Sequence, residues 1–386
     1  MSGGKADKPV KIAFVSTMAG SPWGGSEELW SMTAMRLLEM GHTVVASTFD
    51  WPVRPPKVKA LEEKGARFHF RAMKKPVLAK LADKVLGRTS ASCPIGRDSV
   101  EWLRNEAPDL VVISQGGPWD GKDWMTACLD LGLAYCPVIH ANSEIWWPVD
   151  DWLETIQRGV PAAKRVFFVS NNNMRLMDVQ CGFHVENAEI VINPWMADTK
   201  EIVPWPDEGE IRIACVGRID PKAKGQDILL QVMAMPKWRE RPIRLHIYGG
   251  GPCEKTLRKL CDYWKLENVT FAGHVSDVRG IWAENHALVL PSRFEGLPLV
   301  IVEAMLCGRP VVVTDVAGNA QYVHDGVTGF VAEAPTVALF DAALERAWNC
   351  RALWREMGAK ARTELQQKLP PDPIGVFAER LLALMS

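Results

Sequence analysis

Long apolar runs are missing from this chain. No stretch approaches the roughly 20 consecutive apolar residues that a helix needs to span a bilayer, so membrane-spanning helices are not expected. The opening MSGGKADKPV also lacks the apolar core of a signal peptide. Residues 1–9 are therefore expected as a disordered lead and the cytoplasm as the compartment. Charge of one sign is missing as well: 45 Lys and Arg face 46 Asp and Glu, for a net charge of −1. Binding along a nucleic-acid backbone needs a basic surface that replaces condensed counterions, so no nucleic-acid partner is expected. The nine cysteines are odd in number and form no Cys-x-x-Cys pair, which removes the signals of a disulfide framework and of a zinc site.

What is present is an alternation of short apolar strands, polar turns and helical stretches. At 386 residues the chain exceeds what one compact core holds, and two domains of roughly 180 residues are the natural division. Strands are predicted at Lys11–Ser16, Thr43–Ser47, Asp109–Ser114, Cys136–His140, Arg165–Ser170 and Glu189–Asn193. The proline-rich stretch Pro194–Gly209 breaks the pattern. It restarts at Ile211–Val216, Leu245–Tyr248, Val269–Ala272, Ala287–Leu290 and Pro310–Thr314. The fold class is thus α/β, with two doubly wound, Rossmann-like parallel sheets. The expected divisions are a first domain over 10–196, a linker over 197–210, a second domain over 211–368 and a last segment over 369–386. Thr336–Glu364 reads as one helix and Phe377–Met385 as a last apolar-faced one.

In the first half, AGSPWGGSEELW follows the first strand and opens a helix. Gly24 and Gly25 lack Cβ atoms and let a ligand approach the backbone, and Ser26 reads as the N-cap. This is not G-x-G-x-x-G, and the following strand ends without the acidic residue that binds a ribose, so a nicotinamide cofactor is not expected. Arg54–Arg88 holds eleven Lys or Arg against Glu62, Glu63 and Asp83. Within it Met73–Leu86 is predicted as a basic amphipathic helix, which suits an anionic or lipid-linked acceptor and peripheral contact with a membrane surface. His140 falls at the carboxyl end of its strand, where open α/β sheets bind ligands. Trp146, Trp147 and Trp195, among sixteen tryptophans, also cluster near strand ends; indole faces can stack on sugar rings, but tryptophan mostly fills cores, and at most one of them is expected to contact an acceptor.

The second half holds the densest signal, SRFEGLPLVIVEAMLCGRPVVVTD from Ser292 to Asp315. Glu295 and Glu303 stand eight positions apart around a Gly-Leu-Pro turn. Pro298 suits the first position of a helix, and Gly308 with Pro310 closes it. The free N–H groups around Leu299, Val300 and Ile301 then favour an anion at the helix mouth, with two carboxylates nearby for hydroxyl groups. After Ile211–Val216, GRIDPKAKG places Arg218 and Lys224 at a strand end, a pair of cations suited to a pyrophosphate. The turn at Gly249–Gly251 leaves backbone room for a nucleotide.

On these residues the chain resembles the retaining glycosyltransferases of the GT-B fold, in the large family four group (glycosyl transferases group 1). The resemblance rests on Glu-x7-Glu followed by EAMLCGRPVVVTD, on the Pro-x-Gly-Gly-x-Glu loop and on the Gly-Arg … Lys-Gly pair. It implies two facing Rossmann-like domains, the first on the acceptor side and the second holding the nucleotide sugar, with the C-terminal helix returning to the first. It implies transfer of a hexosyl group from a nucleotide diphosphate sugar with retention at the anomeric carbon. The catalytic residues carried over are His140, Arg218, Lys224 and Glu295. Donor binding falls to Gly24, Gly25, Gly217, Gly250, Gly296, Leu297, Pro298, Leu299 and Glu303. No Asp-x-Asp pair occurs, so neither a metal nor another cofactor is expected. The chain departs from the family at ISQGGPWDG, Ile113–Gly121, which replaces a second histidine or acidic pair, and at Pro298, where members often carry glycine. Two other readings are a nucleotide-sugar isomerase, which would need extra acid–base residues, and a catalytically silent sugar-nucleotide-binding protein. The oligomer and the identity of sugar, nucleotide and acceptor are not encoded legibly.

Overall fold

The computed structural model describes residues 8–73, 95–196, 202–207 and 209–385. Most of the expected lead, the helix expected over Met73–Leu86 beyond its first residue, and part of the linker lie outside them. The chain divides into two compact units, Met1–Pro194 with Asp372–Ser386, and Trp195–Pro371.

Unit 1 is built on β1 (Lys11–Ser16), β2 (Thr43–Phe49), β3 (Arg67–Arg71), β4 (Leu110–Gln115), β5 (Tyr135–Ile139), β6 (Val166–Phe168) and β7 (Ala188–Ile190). Among the described residues these form one sheet in the order β3-β2-β1-β4-β5-β6-β7. Every pairing is parallel, and Ala13 lies opposite both Val45 and Val111. The central strands are buried almost throughout, which is why they read as continuous apolar runs and not as alternating ones. The helix Gly25–Glu39 follows β1 and buries Leu29, Trp30, Ala34 and Leu37. Its N-cap is Gly24, so Ser26 is a helical residue and not the cap expected of it.

The last helix, Pro373–Ala383, belongs to this unit. Phe377 meets Phe167 edge-on at 5.1 Å, and Arg380 donates to the Ile190 carbonyl at 2.8 Å. The helix starts four residues earlier than expected. Pro373 occupies a first-turn position that needs no N–H, and the Asp372 side chain caps the Gly375 N–H at 2.8 Å.

Unit 2 carries β8 (Ile211–Val216), β9 (Ile243–Tyr248), β10 (Val269–Gly273), β11 (Ala287–Leu290), β12 (Val311–Thr314) and β13 (Gly329–Ala332). Its described strands run in the order β10-β9-β8-β11-β12-β13, again all parallel. Each sheet therefore reverses its strand order once, at β1/β4 and at β8/β11, and the crevice outside the carboxyl ends there is the natural ligand position. Thr336–Glu364 is two helices, Val337–Asn349 and Trp354–Lys368, joined by a 3-10 turn. The break is stabilised by the buried Trp354 indole, which donates to the Ala347 carbonyl at 2.9 Å.

The helix Leu299–Leu306 is held at its far end by a buried cation. Arg309, 1% exposed, donates to the carbonyls of Cys307 (2.8 Å), Trp282 and Asn285 (both 2.9 Å) and to that of Pro204. A positive charge is favourable at a helix C-terminus. Among the described residues no helix is long and apolar enough to cross a membrane.

Candidate functional site

The switch point of unit 2 gathers most of the residues expected there. Val216 leads into Gly217, whose φ is +155°, and a Cβ on Gly217 would stand 3.4 Å from Lys224 Cε. Gly249 and Gly225 are required by close backbone approach: at φ +125° and +66°, a Cβ would fall 2.1 Å from the Gly217 carbonyl oxygen and 2.0 Å from that of Pro291. Side chains other than glycine are strained at such φ values and blocked at such distances. A Cβ on Gly250, by contrast, would meet nothing within 4 Å.

The packing delivers Lys224, at the end of the short helix Pro221–Lys224, to Glu295, in the loop after β11. Lys224 Nζ donates to Glu295 Oε1 at 2.5 Å, and the Ser292 hydroxyl donates to the same oxygen at 2.8 Å. The side chains of Lys224 and Glu295 are 19% and 10% exposed, a setting in which screening by water is reduced and the pair holds its geometry. Arg218 is more open, at 45% side-chain exposure, and donates to Asp220 at 2.9 Å. That bond engages one of five guanidinium N–H groups and leaves a fork for an anion.

Glu303 is one turn inside the helix Leu299–Leu306 and is 7% exposed; its Oε1 accepts from the Met196 N–H at 3.1 Å. Pro298 is the N-cap and not the first helical residue, with φ −63° and ψ 122°. Ile301 N–H already bonds the Pro298 carbonyl at 3.1 Å, so the donors at the helix start are those of Leu299 and Val300.

In unit 1 the expected residues fall after β1 (Gly24 and Gly25) and after β5 (His140, Trp146 and Trp147). His140 directly follows β5 and is 7% exposed; its Nε2 lies 3.2 Å from the Ser114 hydroxyl, which in turn lies 3.5 Å from the Ser26 carbonyl. Burial pushes its pKa down to about 3, so the imidazole is neutral, and Nδ1 is buried with no hydrogen-bond partner among the described residues. Gly24 is extended at φ −162°, a conformation any residue adopts, and a Cβ there would meet Met18 Cε at 3.2 Å and Ser21 Oγ at 4.0 Å. Trp146 packs 3.6 Å from where a Cβ of Gly117 would stand, and Trp119 donates to the Trp146 carbonyl at 2.7 Å, whereas Trp147 is 57% exposed.

Residues 210–349 match the family model for glycosyl transferases group 1. The chain is 35% identical over 324 residues to a GDP-mannose-dependent phosphatidylinositol monomannoside mannosyltransferase of Mycolicibacterium smegmatis, covering 75% of this chain and 78% of that one. The chain belongs to the group 1 glycosyl transferases. It is also 27% identical over 161 residues to a poly(ribitol-phosphate) N-acetylglucosaminyltransferase of Staphylococcus aureus, a match that spans 41% of this chain and only 32% of that enzyme. In fold it resembles Anabaena HepE, solved with UDP, at a TM-score of 0.71 and 19% identity over 97% of this chain and 99% of that one. The two parallel α/β domains with the last helix returned to the first are thus those of GT-B glycosyltransferases.

Two residues of this group 1 glycosyl transferase do structural work at the site that the sequence reading passed over. Arg293 forks onto both oxygens of Asp227, at 2.6 and 2.9 Å, and donates to the Pro221 carbonyl at 2.6 Å. This clamps the loop bearing Glu295 to the element bearing Lys224. Arg293 lies inside the Ser292–Asp315 stretch, but nothing in the sequence pairs it with an aspartate 66 positions away.

Proposed function

We propose that this enzyme transfers a hexosyl group from a nucleoside diphosphate sugar to an acceptor hydroxyl, with retention at the anomeric carbon and without a metal ion or other cofactor. The observation that carries this reading is the Lys224–Glu295 contact at the β8/β11 switch point, with Arg218 and the Leu299–Val300 amides as further donors. In the reaction the bond from the anomeric carbon to the β-phosphate oxygen breaks with its electron pair going to the phosphate. The acceptor oxygen bonds the same face of that carbon, and its proton passes to the departing phosphate. Charge grows on the diphosphate in the transition state, so fixed cations aimed there lower the barrier most. Arg218 and Lys224 take that role, and Glu295, oriented by Lys224 and Ser292, accepts from hydroxyls of the donor sugar. By the resemblance, Glu303 is assigned to the ribose, His140 to the donor sugar and the Gly24–Gly25 turn to the donor phosphates.

Support for a nucleotide-sugar donor comes from the relatives, of which one is named for GDP-mannose and one was solved with UDP. Both sequence relatives reported above are named as transferases, which favours transfer over isomerisation or silent binding. Cys128, Cys136, Cys181 and Cys215 are free and buried, which suits a reducing, cytoplasmic setting.

A thermal-shift panel of UDP, GDP and ADP tests the reading, because a ligand that binds only the folded state raises its apparent stability. One of the three is expected to raise Tm, and Lys224→Ala to remove most of that shift. No shift from any of them in the wild type would sink it.

A further inference from the structure

Glu295 stands in a loop between β11 and the helix Leu299–Leu306, and a loop holds a carboxylate still only where its backbone is tied down. On the Lys224 side, the Ala223 carbonyl accepts from the Arg293 N–H at 2.7 Å, beside the Arg293–Asp227 clamp. The other ties come from β12 and the turn after it, which none of the roles above uses. Thr314, the last residue of β12, donates its hydroxyl to the Ser292 carbonyl at 2.6 Å, and the Gly318 N–H donates to the Gly296 carbonyl at 2.7 Å. We propose that Thr314 is a positioning residue for transfer: its hydroxyl, with the Gly318 amide, fixes the two ends of the Ser292–Gly296 loop so that Glu295 presents its carboxylate to the donor sugar. The proposal rests on the glycosyl-transfer reading above and deepens it.

The two bonds bracket Glu295, and the first of them reaches its carboxylate through a single residue. Ser292, whose carbonyl Thr314 holds, is also the residue whose hydroxyl donates to Glu295 Oε1, at 2.8 Å. A shift of the Ser292 backbone therefore moves a donor of the carboxylate directly. Ser292 and Thr314 are both fully buried, so a carbonyl left without this partner must move or go unpaired.

The hydroxyl is itself oriented. Asn319, also fully buried, has Nδ2 3.4 Å from Thr314 Oγ1; a hydroxyl that accepts there keeps its one proton for Ser292. The turn that delivers the Gly318 amide is strained, because Ala317 has a φ of +49°, which a residue with a Cβ seldom adopts. Such strain persists where surrounding contacts over-determine the backbone, and the Gly318–Gly296 bond is one of them.

The test uses the full chain and reads nucleoside diphosphate released from UDP-glucose, GDP-mannose and ADP-glucose, with water or methyl hexosides as acceptor. Thr314→Val, close in shape but without the hydroxyl, is expected to lower kcat roughly 10- to 100-fold, the cost of a small misplacement at a reacting centre, with donor KM little changed. Thr314→Ser keeps the hydroxyl and should recover most of that loss. A threonine that served stability alone would lower Tm and leave kcat unmoved. In a Glu295→Gln background Thr314→Val should cost little more, because two changes that act through one group are not additive. Asn319→Leu leaves the hydroxyl but removes its orienting donor; it should lower kcat by less, and it carries the test if Thr314→Val does not fold. An unmoved kcat in the folded variants, a Thr314→Ser as slow as Thr314→Val, or a full further loss in the Glu295→Gln background would overturn the proposal. The transfer reading still stands in those cases if Glu295→Gln is itself slow. Release from none of the three sugar nucleotides by the wild type removes that reading, and the proposal with it.

Discussion

The carboxyl ends of β8 and β11 in unit 2 bring a lysine and a glutamate together, whereas burial holds the groups after β1 and β5 in unit 1 towards neutrality. In unit 2 a lysine and a glutamate meet at 2.5 Å with an arginine open beside the same turn. In unit 1 burial drives His140 down to about 3 and Glu27 up to about 7, and Trp23 and Trp51 are among the residues lining a small pocket at Glu27. The backbone differs in the same sense. Unit 2 places Gly217, Gly225 and Gly249 at positive φ around the switch point, whereas Gly24, ahead of the first helix of unit 1, is merely extended. One strand order thus carries two kinds of carboxyl end, an ionic one among positive-φ glycines in unit 2 and a buried, hydrogen-bonding one in unit 1.

The largest effect expected from this difference is on stability. Gly249→Ala puts a Cβ 2.1 Å from a backbone oxygen that has no room to yield, at φ +125°. It should cost roughly 3 kcal/mol or more in urea unfolding, the range of severe backbone strain and clash. A cost below about 1 kcal/mol would show that the turn is soft and the comparison of backbones mistaken. Next is Lys224→Ala, which removes the lysine proposed for the leaving-group side and the partner of Glu295. A loss of about 10²- to 10³-fold in kcat/KM is expected, as for removal of one preorganised transition-state donor. Unchanged steady-state kinetics would move the chemistry away from this contact.

The third prediction concerns unit 1 and pH. Folding raises the Glu27 carboxyl from an ordinary 4.5 to about 7, chiefly by desolvation, against the lowering effect of the Trp30 and Ser16 bonds and of Arg71; neighbouring Glu28 raises it slightly. The folded state therefore holds this proton more tightly than the unfolded one. Glu27's contribution to stability is full below about pH 4.5, falls as pH rises towards about 7, and is absent above it. At about 1.36 kcal/mol per unit the swing is on the order of 3 kcal/mol. Glu27→Gln should flatten that part of the pH–stability curve, measured as urea midpoints of both proteins. Parallel curves would mean the carboxyl is not buried as described. Smaller again, Arg218→Ala should lower kcat/KM roughly 10- to 150-fold, the worth of a charge-assisted bond of about 1.5–3 kcal/mol.

The parts of this arrangement legible in the sequence were those carried by local pattern. Buried parallel strands such as Phe14–Val15 and Val111–Ile113 announce themselves as apolar runs, and the turn at Gly249–Gly251 by composition. β3 was missed because RFHFR alternates charge with aromatics inside a basic segment, and such a strand is tolerable because it lies at the sheet edge. β13, at the opposite edge of the other sheet, is four residues long and begins with glycine. The site divides likewise. Lys224 and Glu295 were each singled out, but their contact spans 71 positions and exists only once β8 and β11 lie side by side. Glu27 was in plain view as the last residue of Pro-x-Gly-Gly-x-Glu, yet its burial against Trp30 and Arg71 comes from packing and has no local signature.

Gly24→Ala is the smallest perturbation and separates two uses of one glycine. Its φ of −162° is open to alanine, and the new Cβ would meet Met18 Cε at 3.2 Å, the free end of a flexible side chain. Gly24 is also an N-cap without a side-chain bond, and replacing a glycine cap by alanine costs at most about 1 kcal/mol. Urea unfolding is thus expected to move by about 1 kcal/mol or less, several-fold below Gly249→Ala. If the glycine is there so that donor phosphates can approach the backbone, the same variant should raise the donor KM at unchanged acceptor KM. A rise in acceptor KM instead would assign the loop to the acceptor and not to the donor phosphates that the resemblance implies.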